Sequence, residues 1–130
     1  MISINGTYLC GGINSLSDHE CKTWRDYAKI LLRSDTIDPM RRDYRGNEMN
    51  NYVTIVEDDI NDISNVRFVL VNATRPSWGT AMEIVYAYKL CKYIVCFGCD
   101  TTSVSPWLKY HCKHIFQTLE EAVKHINEVL

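Results

Sequence analysis

At 130 residues, with 46% apolar side chains, 23% charged ones and a formal net charge of -2, the chain has the size and composition of one domain with its own core. So even a charge balance leaves no basic face to neutralise the phosphates of a nucleic-acid polymer, and a small ligand is expected instead. No basic start followed by a long apolar stretch is present, and no apolar run reaches the roughly 18 residues of a membrane helix, so a soluble, cytoplasmic protein is expected.

Six cysteines raise the question of a disulfide framework, but a chain able to build a core needs no staples, and reduced thiols are expected. Cys10, Cys91 and Cys96 read as small buried hydrophobes, the usual place for free cysteine. Cys96-Phe97-Gly98-Cys99, with His111, Cys112 and His114 downstream, holds the ingredients of a zinc site but lacks the paired spacing of zinc modules. Neither metal nor cofactor is expected.

Residues 2–10 read as a strand that runs into Gly11-Gly12, a pair able to adopt backbone angles closed to other residues. Ser17 and Glu20 form a capping box, and Cys21, Trp24, Ala28 and Leu31 recur at helical spacing, which predicts a helix over 17–34. Residues 36–38 make a short strand stopped by Pro39, and 40–51 is an aperiodic loop long enough to suspect function. Val53, Val56, Ile60 and Ile63 mark a second helix, followed by the buried-strand run of 66–72. From Gly79 the helical repeat of Ala81, Ile84, Val85, Tyr88 and Cys91 leads into the strand 92–97. A short helix over 106–110, a last strand over 114–116 and a terminal helix capped by Thr118 and Glu121 complete the chain.

Five strands alternating with helices predict an α/β domain with a mostly parallel sheet covered on both faces. The ligand crevice of such a sheet lies at the carboxyl ends of its strands. Residues 8–12, 38–46, 72–79 and 98–105 all leave strand ends and should converge there. Repeats, linkers and low-complexity segments are absent.

Glu83 is expected in the first turn of its helix, where free N–H groups and the helix dipole keep a carboxylate ionised; a plain helix-stabilising glutamate is the alternative. Ser77, Trp78, Gly79 and Thr80 offer hydroxyls and N–H groups at the same helix start, an arrangement that receives phosphate, although Ser77 serves equally as an N-cap. In the acidic run Glu57-Asp58-Asp59 with Asp62, Asp59 lies beside the apolar stripe, where a raised pKa suits a general acid. Asp58 and Asp62 read as a solvated face. Two carboxylates in one pocket, one nucleophile and one proton donor, are what glycosidic cleavage through a covalent sugar intermediate requires. Asp38, Arg41, Arg42 and Arg45 sit on the loop beside the crevice, and arginine forks suit phosphate or a base edge. The absence of GxGxxG, Walker and GxSxG motifs removes the usual dinucleotide, NTPase and hydrolase readings.

These residues resemble the nucleoside 2-deoxyribosyltransferase family, including its 2'-deoxynucleoside 5'-monophosphate N-glycosidase branch. Tyr8-Leu9-Cys10-Gly11-Gly12 is similar to the family's opening strand and glycine turn, and Glu57-Asp58-Asp59-Ile60 to its acidic helix. The most specific match is Pro76-Ser77-Trp78-Gly79-Thr80-Ala81-Met82-Glu83 with Tyr86-Ala87, which resembles the nucleophile motif. The resemblance implies a single flavodoxin-like or Rossmann-like doubly wound domain. It also implies that Glu83 attacks the anomeric carbon, Asp59 handles the base's proton and Tyr8 positions Glu83. Transferases of the family often carry an aspartate for the sugar 5'-hydroxyl six residues before the nucleophile; here Ser77 stands there, as in the monophosphate glycosidases. Those glycosidases borrow a phosphate-binding serine from a neighbouring subunit, for which Ser105, with Ser103 as rival, is the candidate, implying a homodimer with shared sites.

The expected activity is therefore cleavage of the N-glycosidic bond of a 2'-deoxynucleoside or its 5'-monophosphate, with water or a second base as acceptor. The alternatives are a glycosidase of a ribonucleotide or a nucleotide-derived signal or cofactor, and a non-catalytic nucleotide-binding module. A flavodoxin-like electron carrier shares the architecture but needs a phosphate loop for flavin that the sequence lacks.

Overall fold

Residues 5–130 are described in this computed structural model; Ile2, Ser3 and Ile4 of the expected first strand lie outside the described residues. The strands β1 (Thr7–Cys10), β2 (Thr36–Ile37), β3 (Phe68–Asn72), β4 (Tyr93–Phe97) and β5 (His114–Phe116) form one parallel sheet in the order β2-β1-β3-β4-β5. The helices α1 (Trp24–Leu31), α2 (Tyr52–Ser64), α3 (Trp78–Lys89), α4 (Pro106–His111) and α5 (Leu119–Val129) alternate with them. This is the flavodoxin-like order, and its winding reverses between β1 and β3, the place where such sheets open a crevice.

Strand side chains alternate between faces, and each strand accordingly feeds two cores. Tyr8, Cys10, Val69, Val71, Ile94 and Cys96 pack on one side with Ile63 of α2 and with Ile84 and Ala87 of α3. Leu9, Phe68, Leu70, Val95 and Phe97 pack on the other with Ala28 of α1 and with Ala122, Val123 and Ile126 of α5. The continuous apolar runs of β3 and β4 are thus explained by burial on both faces.

The first helix is shorter than its periodicity predicts. The Ser17–Glu20 capping box forms, with Ser17 N donating to Glu20 Oε1 at 3.1 Å and Glu20 N to Ser17 Oγ at 3.2 Å. A π-helical turn at His19–Thr23 then leads into α1, which stops because Leu32 turns extended to feed β2. Asn127 of α5 holds that end, donating to Leu31 O at 3.0 Å and accepting from Arg33 N at 2.9 Å. Cys91, expected inside the core, is exposed and left-handed at φ 59°, just past the end of α3, where the chain turns toward β4. The glycine pair also acts differently from expectation. Neither Gly11 nor Gly12 has positive φ; Gly11 is needed for space, since a Cβ there would lie 2.8 Å from Trp24 Cζ2 and 3.3 Å from Asn72 Cβ.

Arg25, a position the helical pattern passed over, is fully buried beneath the carboxyl end of β1. Its guanidinium donates to Cys21 O at 2.7 Å, Gly11 O at 3.0 Å and Leu9 O at 3.3 Å, and lies 3.6 Å from Asp38 Oδ1. Asp38 is also paired with Lys29 at 2.6 Å. One buried cation therefore ties together α1, the turn after β1 and the segment after β2. Among the described residues no helix is long and apolar enough to cross a membrane.

Replacing Arg25 with alanine would leave three buried carbonyls without their donor. The variant is expected to lose about 3–5 kcal/mol of stability, read as a lower urea midpoint with an unchanged slope.

Candidate active site

The crevice at the reversal between β1 and β3 is a cavity of about 420 Å³. One wall is the α2 face of Ile55, Val56, Asp59, Ile60 and Ile63; the facing wall is the α3 face of Gly79, Thr80, Met82, Glu83 and Tyr86. Both sets follow helical spacing, which is why two sequence-distant stripes form one pocket. This also corrects the reading of α2. Val53 and Val56 are half exposed, because the upper part of the stripe faces the crevice or solvent and only Ile63 reaches the core.

Glu83 stands in the second turn of α3, six residues after the N-cap Ser77, and not in the first turn as expected. Its carboxylate is held by hydrogen bonds from neighbouring strand residues. Tyr8 Oη donates to Oε2 at 2.6 Å, and Cys10 Sγ donates to Oε1 at 3.5 Å. Tyr8 and Cys10 are two apart on β1, so both point to this face. Burial and the charge of Glu83 hold the Tyr8 hydroxyl and the Cys10 thiol well above their ordinary values, so both remain donors.

Burial, reinforced by the nearby Asp59 charge, pushes Glu83 up to about 7, while the bonds from Tyr8 and Cys10 and the charge of Arg25 pull the other way. The dipole expectation of a readily ionised carboxylate is thereby reversed: desolvation outweighs the helix. Asp59 is raised to about 6, chiefly by burial, with Arg42 opposing. The two titrate as a pair that holds one proton near neutrality. Glu83 stands the higher of the two, so that proton rests chiefly on Glu83, and the bonds from Tyr8 and Cys10 temper the shift without reversing it.

The arginines of the loop after β2 serve the acidic helix. Arg42 Nη2 lies 2.6 Å from Asp62 Oδ2 and 3.4 Å from Asp59 Oδ1, and its Nε lies 3.5 Å from Asp58 Oδ2. Arg41 Nη2 reaches Asp62 Oδ1 at 2.8 Å, and its Nη1 donates to Asp38 O at 3.0 Å. Asp62 is therefore buried and doubly paired, not part of a solvated face. Arg45 is committed to Asp18, Asp43 and Leu16 O.

Of the residues singled out in the sequence, Gly11, Arg42, Arg45, Asp59, Ser77, Gly79, Thr80 and Glu83 line the cavity, with Tyr8 behind Glu83. Gly12, Asp38, Arg41, Trp78 and Ser105 do not line it. Asp38 is spent on Arg25, Lys29 and the N–H of Met40, and Arg41 on Asp62. Gly12 faces the neighbouring groove with Leu16 and Glu20, and Trp78 is 85% exposed. Ser105 is exposed and caps α4, accepting from Trp107 N at 3.2 Å; Ser103 is exposed too.

Sequence reasoning missed Tyr44 and Glu48, which lie on an aperiodic loop and reach the cavity only through the fold. Cys10, read as a small buried hydrophobe, left a usable signal in its spacing from Tyr8. Thr80 Oγ1 is buried against the cavity without a hydrogen-bond partner, while Thr80 N donates to Ser77 Oγ at 3.4 Å. Among the described residues no three His, Cys, Asp or Glu side chains are grouped to hold a metal.

Because folding raises both carboxyl pKa values, the folded chain keeps protons that the unfolded chain has released. The cost of charging the pair is absent below the ordinary carboxylate range and appears as pH rises through about 6 to 7. Glu83→Gln is therefore expected to melt a few degrees above the unsubstituted protein in alkaline buffer, with the gap closing at acidic pH in a thermal-melt series. A constant or inverted gap would contradict the burial cost.

The sheet order and the crevice at the winding reversal are those of the flavodoxin-like fold, which solved 2-deoxyribosyltransferases share. Among solved structures, a 2-deoxyribosyltransferase from Bacillus psychrosaccharolyticus superposes with a TM-score of 0.69 at 13% identity, over 94% of this chain and 90% of that one. A 2-desoxiribosyltransferase from Leishmania mexicana gives 0.67 at 20% identity, over 95% and 97%. A conserved protein from Enterococcus faecalis V583 gives 0.74 at 12% identity, over 98% and 99%. No protein-family model and no curated protein matches the sequence.

Proposed function

We propose that the chain cleaves the N-glycosidic bond of a 2'-deoxynucleoside or its 5'-monophosphate through a deoxyribosyl ester on Glu83. The observation that carries the reading is the Glu83 carboxylate, held by Tyr8 and Cys10 at the wall of a cavity that Asp59 also faces. The two neighbours described as 2-deoxyribosyltransferases support it.

In this mechanism the shared proton passes to Asp59 as substrate binds, a Glu83 oxygen then forms a bond to the anomeric carbon as the bond to the base nitrogen breaks, and the departing base takes that proton from Asp59. Tyr8 and Cys10 aim the nucleophile and share its charge before attack. Water, or a second base, deprotonated by Asp59, then attacks the same carbon and frees Glu83. The oxocarbenium-like charge on the sugar is balanced by the carboxylate itself, so no metal or cofactor takes part. Ser77 accepts the Thr80 N–H and keeps its own proton to offer the 5'-oxygen or phosphate of the sugar.

The chain works as a homodimer in this reading. Trp107 and Tyr110 of α4 are 72% and 68% exposed, apolar surface that supports burial against a second copy, and the exposed Ser105 caps the same helix. Ser105→Ala should raise KM for monophosphates and leave nucleosides unaffected, in steady-state assays of the two substrate types.

Deoxynucleosides and their monophosphates, offered with and without a free acceptor base, test phosphate dependence and the choice of acceptor together. Glu83→Ala should lower base release by at least about 1,000-fold, as loss of a covalent nucleophile does, and should abolish the sugar adduct seen by mass spectrometry. Retained activity above a few per cent would sink the assignment. The pH profile of kcat/KM should be a narrow bell, falling on the acid side as the pair takes a second proton and on the alkaline side as it loses the last one.

A further inference from the structure

Glu48 opens the turn of 3-10 helix Glu48–Asn50 that leads into α2, and it lines the cavity with Tyr44, Ile55 and Val56. One carboxylate oxygen is spoken for, since Gly46 N donates to Oε1 at 2.8 Å. The other, Oε2, is buried with no hydrogen-bond partner. Cations are close in sequence but engaged elsewhere: Arg42 with Asp58, Asp59 and Asp62, and Arg45 with Asp18 and Asp43. An ionised carboxylate only accepts, and a buried acceptor left empty costs about 1–3 kcal/mol. Closed to water as it stands, Oε2 gains a donor when the Glu48 side chain turns toward a ligand in the cavity that carries one.

Position indicates which part of the ligand supplies it. The start of α3, with Ser77 and Thr80, forms one side of the cavity, and Glu83 stands one turn further along that helix. Glu48 belongs to the opposite side, shared with Asp59 and with the apolar Ile55 and Val56, a surface suited to an aromatic ring. Resting on the glycosidase reading, in which Asp59 faces the base, we propose that Glu48 selects nucleobases carrying an exocyclic amino group. Its Oε2 accepts one amino hydrogen, as carboxylates accept from the cytosine amino group in nucleic-acid recognition. A carbonyl at the same place sets oxygen against oxygen, so the 4-oxo pyrimidine or 6-oxo purine is refused by repulsion and by the unpaired acceptor together.

The test compares matched ligands that differ only in that group: the 5'-monophosphates of deoxycytidine and deoxyuridine, and of deoxyadenosine and deoxyinosine. Affinities are measured by calorimetry on the Glu83→Gln protein, which cannot form the sugar ester, and on the same protein carrying Glu48→Ala or Glu48→Gln. The amino member of at least one pair should bind roughly 10- to 100-fold tighter. Glu48→Ala should erase most of that ratio by weakening the amino member alone. Glu48→Gln keeps an acceptor for Gly46 and adds an N–H donor, so the ratio should collapse or invert. A merely structural role for Glu48, or a contact to the sugar, would weaken both members equally and leave the ratio intact, which overturns the proposal. Equal binding within both pairs, or no binding of any of the four, overturns it as well. Base release by the unsubstituted protein is scored separately, so selectivity without release refutes the glycosidase reading alone, and release without selectivity refutes the role of Glu48 alone.

Discussion

A carboxylate drawn into an apolar-walled cavity has to be given donors or a proton, and the organisation of this molecule follows from that need at Glu83. Burial raises its pKa, Asp59 raises it further, and the bonds from Tyr8 and Cys10 and the charge of Arg25 hold it down. Tyr8 and Cys10 can do this because β1 lies next to β3 in the sheet, which sets the helix following β3 above the β1 side chains. A different strand order would leave Glu83 buried without donors.

The same electrostatic demand is met in a second way on α2. Asp58, Asp59 and Asp62 would repel one another on one helix face, and Arg41 and Arg42 fold down onto them. The pairing is uneven. Asp62 receives two short contacts, whereas Asp59 receives one at 3.4 Å and so keeps a raised pKa. Arginines that looked like ligand forks in the sequence thus set the proton affinity of the cavity's second carboxyl group.

Arg25 links these parts mechanically. By binding the carbonyls of Leu9, Gly11 and Cys21 it fixes the turn directly after the strand that carries Tyr8 and Cys10. Gly11 then passes close to Trp24 and Asn72, so the strand end and the loop after β3 meet without a side chain between them. The cavity's accuracy depends on this buried cation, although Arg25 does not line it.

Periodicity, capping boxes and turn residues were enough to determine the alternation of strands and helices, the Thr118–Glu121 and Ser17–Glu20 caps, and the parallel sheet, because these are local or nearly local properties of the chain. The motif around Glu83, with Asp59 and Tyr8, could also be picked out by residue type and place. Tertiary structure decided the rest. It put Glu83 in the second helical turn and made its burial outweigh the helix dipole. It assigned Asp38 and Arg41 to internal ion pairs, exposed Cys91, and left Glu48 and Thr80, which both line the cavity, each with one buried oxygen that has no hydrogen-bond partner. Those outcomes depend on which groups lose water and which distant partners reach them, and desolvation is a property of the packed molecule that no spacing along the chain encodes.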